Sequence, residues 1–110
     1  MSKFQGITHQ LAEFDTKIEA ARLMCLNALW LKDKGLPHTG EAAMSKWWPP
    51  LLAYESIHAC LLVHGHAGYS EDLPIQQRLR DVLGLQIGDG TAHIMKNIIT
   101  KDRLKQLTAG

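Results

Sequence analysis

What this chain has little of excludes a good deal. Two cysteines in 110 residues cannot build a disulfide scaffold. Cys25 and Cys60 both fall on apolar faces of the helices read below, which predicts buried, reduced thiols and a cytoplasmic setting. No apolar run is long enough to span a bilayer, because the most apolar stretch, Leu51 to Val63, is interrupted by Glu55 and His58. The opening residues, Met1 to Gln5, contain no apolar signal core. Charge of one sign is equally scarce. The formal net charge is +1 with no long run of either sign, so bulk charge recruits neither nucleic acid nor an anionic membrane. Internal repeats, low-complexity tracts and the apolar-polar alternation of β-strands are all missing. What is present is 45% hydrophobic and 21% charged residues, enough for one modest core under a solvated surface. Residues 1–110 therefore read as one all-α domain.

Phe4, Ile7, Leu11, Phe14, Ile18, Ala21, Cys25 and Ala28 recur at steps of three and four, the signature of a single long amphipathic helix. Glu13, Asp15, Lys17, Glu19 and Arg22 lie on its other face. Lys32, Lys34 and Gly35 end it ahead of Pro37. The same spacing fits a bundle seam, so this face can also pack against a second chain. A second helix starts at Thr39 or Gly40. Trp47-Trp48-Pro49-Pro50 predicts a kink or a restart within it, since an internal proline costs on the order of 3 kcal/mol. Beyond Pro50, Leu52, Ser56, Ala59, Cys60 and Val63 point to the core, and Gly65 and Gly68 close the segment. Residues 65 to 74 read as a loop. Pro74 opens a short third helix through Ile75, Leu79, Val82 and Leu83, which Gly84 bounds. A fourth helix runs from Thr91 through Ile94, Met95, Ile98 and Ile99 to Leu104 or Leu107. The architecture that fits is an antiparallel four-helix bundle.

Between the last two helices lies Gly88-Asp89-Gly90-Thr91. Glycine on either side leaves no Cβ to block a substrate's approach to the carboxylate, and Thr91 is a good N-cap for the helix that follows. Asp89 thus reads either as a placed base or as a helix-capping acid. Arg80-Asp81, two turns upstream, can orient this turn or serve a salt bridge or subunit contact. His58, His64, His66 and His93 lack the spacing of a zinc site, and no metal is expected. Trp30, Trp47 and Trp48 read as bundle or interface anchors. Lys96, Lys101, Arg103 and Lys105 read as a solvated face.

These motifs, in this order, resemble the C-terminal helical domain of the flavin-dependent acyl-CoA dehydrogenases. The family's long helix is matched by Gln5, Leu11-Ala12 and Glu19-Ala20-Ala21-Arg22, and its second-helix lysine by Lys46 after Ala42-Ala43-Met44. His64-Gly65-His66-Ala67-Gly68-Tyr69 is similar to the family's glycine-rich loop. Pro74, Arg80-Asp81 and the acid-Gly-Thr triplet follow in register. Departures are Leu62 in place of a flavin-contacting glutamine, His66 in place of the loop's second glycine, His93 in place of a glutamine, Lys101 in place of arginine, and Asp89 in place of the usual glutamate.

The resemblance implies α,β-desaturation of an acyl-CoA thioester, with the α-proton removed by Asp89 and a β-hydride passed to FAD. It implies Gly65, His66, Thr91 and His93 as cofactor contacts, the loop pair reaching the flavin of a neighbouring subunit. The backbone N–H of Asp89 would supply half of the contact to the thioester oxygen. It further implies a homo-oligomer, a dimer or tetramer, with the acyl pocket and most of the flavin pocket built by domains outside this chain, which is expected to be inactive and colourless in isolation. The electron-transfer partner is not specified by these residues. Aspartate sets the carboxylate back by about an ångström, a displacement that can cost on the order of a hundredfold unless the acyl group lies closer. Two rival readings are a non-catalytic helical assembly module and a metal-binding bundle.

Overall fold

The computed structural model describes residues 5–88 and 90–109. In chain order these form α1 (Gln5–Asp33), α2 (Thr39–His64), the one-turn α3 (His66–Tyr69), α4 (Ile75–Ile87) and α5 (Ala92–Ala109). There is no strand among the described residues. The four long helices are those expected, and Phe4 and Asp89 lie outside the described residues.

α1 ends where its sequence predicts. Gly35 adopts φ 70°, and the Leu36 N–H reaches the Leu31 carbonyl while the Gly35 N–H reaches Lys32, the paired bonds of a Schellman cap. α2 departs from expectation, because its backbone stays helical straight through Pro49 and Pro50 and no restart occurs. The two prolines remove the donors that would meet the Ser45 and Lys46 carbonyls, but α2 is packed by all four other helices. Tertiary packing of this kind overrides a local penalty. α4 likewise runs on through Gly84, and the segment expected to be a loop holds the single turn α3.

α2 is the axis of the molecule. α1, α4 and α5 each pack on it and make little contact with one another, and α3 packs on α2 and α4. The buried apolar residues, Ala21, Ala28, Ala43, Leu52 and Val82, are mostly small, so helices approach closely but enclose little. A wide apolar surface stays uncovered, including Leu11 (60% exposed), Ile18 and Leu29 (58% exposed) along α1. The apolar stripe of α1 is thus divided. Ala21 and Ala28 are buried and Ile7, Phe14 and Cys25 half-buried, whereas Leu11 and Ile18 face outward. Cys60 is also exposed rather than buried, because it faces the shallow groove between α1 and α2 and no further helix closes that groove.

Candidate functional site

The turn that carries Asp89 is held on both sides. Upstream, α4 ends with Gly88 in an extended conformation (φ −73°, ψ 139°), its N–H bonded to the Gly84 carbonyl. The next carbonyl, that of Leu85, accepts a hydrogen bond from the Lys46 ammonium on α2 at 2.7 Å. Downstream, Gly90 takes φ 124°, a conformation costly for any residue with a Cβ. A Cβ there would also stand 2.6 Å from the Met95 methyl carbon. Thr91 then caps α5, its hydroxyl accepting the Ile94 N–H at 3.4 Å. The remaining N–H groups of the first turn of α5 have no intrahelical acceptor, which suits an anionic group such as a flavin phosphate. His93 is exposed one residue inside that terminus.

Gly65 and His66 lie at the other end of α4. Gly65 closes α2 at φ 64°, ψ −139°, a region open to glycine, and its N–H bonds to the Leu62 carbonyl. His66 lines a cavity of about 570 Å³ with Leu61, Tyr69, Gln76 and Arg80. Arg80 donates to Gln76 one turn back, and no ion pair between Arg80 and Asp81 is present among the described residues. The four expected cofactor residues therefore form two pairs, Gly65 with His66 and Thr91 with His93. A 13-residue helix, about 20 Å at 1.5 Å per residue, separates them. Such a separation suits contacts to two different flavins, or to the two ends of one.

His58 and His64 are occupied locally. The ring of His58 stacks on Tyr54 with centroids 5.9 Å apart. His64 Nδ1 donates to the Cys60 carbonyl at 2.8 Å and sits 3.7 Å from its sulfur. This i, i+4 cysteine-histidine pair was missed in the sequence, although its spacing was there to be read. No group of three or more metal-ligating side chains converges among the described residues. Toward the start of α2, the Lys96 ammonium stands 4.5 Å over the Trp47 ring, and Arg103 approaches Glu41 at 3.4 Å. The basic face of α5 is thus partly engaged.

Residues 1–104 match the family model of the acyl-CoA dehydrogenase C-terminal domain. The chain belongs to the acyl-CoA dehydrogenase family. It is 36% identical over 105 residues to a probable acyl-CoA dehydrogenase of Bacillus subtilis, YngJ, covering 96% of this chain and 28% of that protein. It is 37% identical to the benzylmalonyl-CoA dehydrogenase of Aromatoleum aromaticum, over 93% of this chain and 27% of that one. The solved butyryl-CoA dehydrogenase of Megasphaera elsdenii superposes with a TM-score of 0.90 at 32% identity, covering 94% of this chain and 27% of that structure. The chain thus spans little more than a quarter of the length of these relatives. Acyl-CoA dehydrogenases depend on FAD. The N–H groups at the start of α5 and the glycine turn at Gly65 are compatible with contacts to that cofactor. Lys46, which the sequence marked only as a family match, is the residue whose place in the site the structure adds.

Proposed function

We propose that this chain supplies the catalytic base, part of the flavin-contacting surface and the assembly surface of an FAD-dependent acyl-CoA dehydrogenase. In this reading Asp89 removes the α-proton of an acyl-CoA thioester. The observation that carries it is the bracketing of position 89 by an anchored helix end and a capped helix start. That arrangement fixes where the chain enters and leaves the acid while leaving glycine on each side. An α-proton beside a thioester is weakly acidic, so the base needs a fixed position and the developing charge on the carbonyl oxygen needs a donor. The backbone N–H of Asp89 is suited to be one such donor. FAD, when bound, accepts the β-hydride. Thr91, His93 and the first turn of α5 hold one part of the cofactor; Gly65 and His66 contact the flavin of a neighbouring subunit. The domains that complete the acyl pocket lie outside this chain.

The uncovered apolar side of α1 supports self-association as a dimer or tetramer. A cytoplasmic enzyme is the reading we favour; no helix among the described residues is long and apolar enough to cross a membrane. Replacing Asp89→Asn in the complete flavoenzyme carrying this segment should abolish the bleaching of the flavin's visible absorbance by acyl-CoA while leaving the cofactor bound. Bleaching at the wild-type rate would reject the assignment.

A further inference from the structure

We propose that Lys46 is a positioning residue for the acidic turn, acting by clamping the end of α4 to α2; this rests on the reading of Asp89 as the base. A helix end leaves carbonyls without donors and carries partial negative charge. α4 has no basic residue in its own last turn. The cation comes instead from 39 residues upstream, where the Lys46 ammonium meets the Leu85 carbonyl at 2.7 Å. A bond of that length from a charged donor is stronger than a neutral one.

The next residue on α2 completes the arrangement. Trp47 lies under Lys96, in the second turn of α5. Adjacent residues of one helix therefore hold the two sides of the turn, Lys46 the end of α4 and Trp47 the beginning of α5. Within α5, the Thr91 cap and the Met95 side chain beneath Gly90 settle the downstream side locally. Among the described residues, the upstream side has no comparable local anchor beyond the Gly88 to Gly84 bond. Among the described side chains, Lys46 is the one whose hydrogen bond joins this end of α4 to another helix. Its place two turns into α2, the helix on which the others pack, makes it a rigid reference point. Nearby, the Gln86 side-chain nitrogen is shielded from solvent without an acceptor among the described residues, so it offers no substitute anchor.

The test compares Lys46→Met, which keeps length and helix propensity but removes the charge, with Lys46→Arg, which keeps a donor. In the 110-residue chain, amide hydrogen exchange at Gly88, whose N–H is bonded to the Gly84 carbonyl, should quicken about tenfold in Lys46→Met while α1 is unchanged, and Lys46→Arg should return most of the protection. In the complete flavoenzyme, the single-turnover rate of flavin reduction should fall about tenfold with acyl-CoA affinity unchanged, again with recovery in Lys46→Arg. Unchanged exchange at the turn, or loss of protection spread evenly over every helix, would overturn the proposal. The two ideas fail separately. If Asp89→Asn still bleaches, the base is misassigned while the exchange result stands. If Asp89→Asn is dead but Lys46→Met leaves exchange unaltered, the clamp is wrong and the base is right.

Discussion

Gly68 sits where α3 presses against the last turns of α2, and it is buried. A Cβ on Gly68 would lie 2.6 Å from the Leu61 carbonyl oxygen, 2.9 Å from the His64 Cβ and 3.2 Å from the Leu61 Cα. The closest of these atoms is the Leu61 carbonyl oxygen, backbone of the last turn of α2 that cannot swing aside like a side-chain tip, so Gly68→Ala must move α3 as a unit. Overpacking of this kind costs roughly 1–3 kcal/mol. Against it stands the gain from replacing glycine by alanine in a helix, about 0.5–1 kcal/mol. The net expectation is a loss of about 1 to 2 kcal/mol. At about 2.1 cal/mol/K of unfolding entropy per residue, a 110-residue domain loses about 4 °C in Tm for each kcal/mol. The matched control is Gly84→Ala, in α4, where nothing lies within 4 Å of the added methyl. With the propensity gain alone, it should be stabilised by about 0.5–1 kcal/mol. Urea and thermal unfolding followed by circular dichroism read both variants. If Gly68→Ala melts at or above the wild-type temperature, the close packing of α3 on α2 is not what selects glycine there, and the reasoning fails. Because α3 carries His66 and Tyr69 into the 570 Å³ cavity, Gly68→Ala should also weaken FAD retention in the complete enzyme.

Thr91→Ala removes the hydroxyl that accepts the Ile94 N–H, and because that contact is long at 3.4 Å the loss should fall near 0.5 kcal/mol, the low end for a cap, measurable as a lower urea midpoint with unchanged slope. Leu11→Lys together with Leu29→Lys places charge on the uncovered side of α1, where the wild-type side chains are 60% and 58% exposed. Sedimentation should then show dissociation to monomers, with the stability of the fold altered by no more than about 0.5 kcal/mol per site; an unshifted oligomer would place the interface elsewhere.

The junction between α4 and α5 is held from both sides, and in the proposed function this is the turn that carries the base. α2 offers a lysine to one side and a tryptophan to the other. The loop pair Gly65 and His66 stands a full helix away, so in the proposed function the flavin-facing loop and the substrate-facing turn lie at opposite ends of α4.

Periodicity and cap chemistry determined the four long helices by themselves, because each signal is local. The step of three and four in α1, Gly35 past its end, Pro74 and Thr91 at helix starts each act within one or two turns. The family likeness was legible for the same reason, as short motifs in fixed order. Only the tertiary structure decided matters that depend on who covers whom. Pro49 and Pro50 stay helical because four helices brace α2, a sum no local penalty reveals. Cys60, Leu11 and Ile18 stand on apolar faces yet are exposed, since periodicity marks a face but not the neighbour that would cover it. Arg80 turned to Gln76, and Lys46 reached a carbonyl 39 residues distant; a charged side chain long enough to find several partners is assigned one only when packing brings it within hydrogen-bond range.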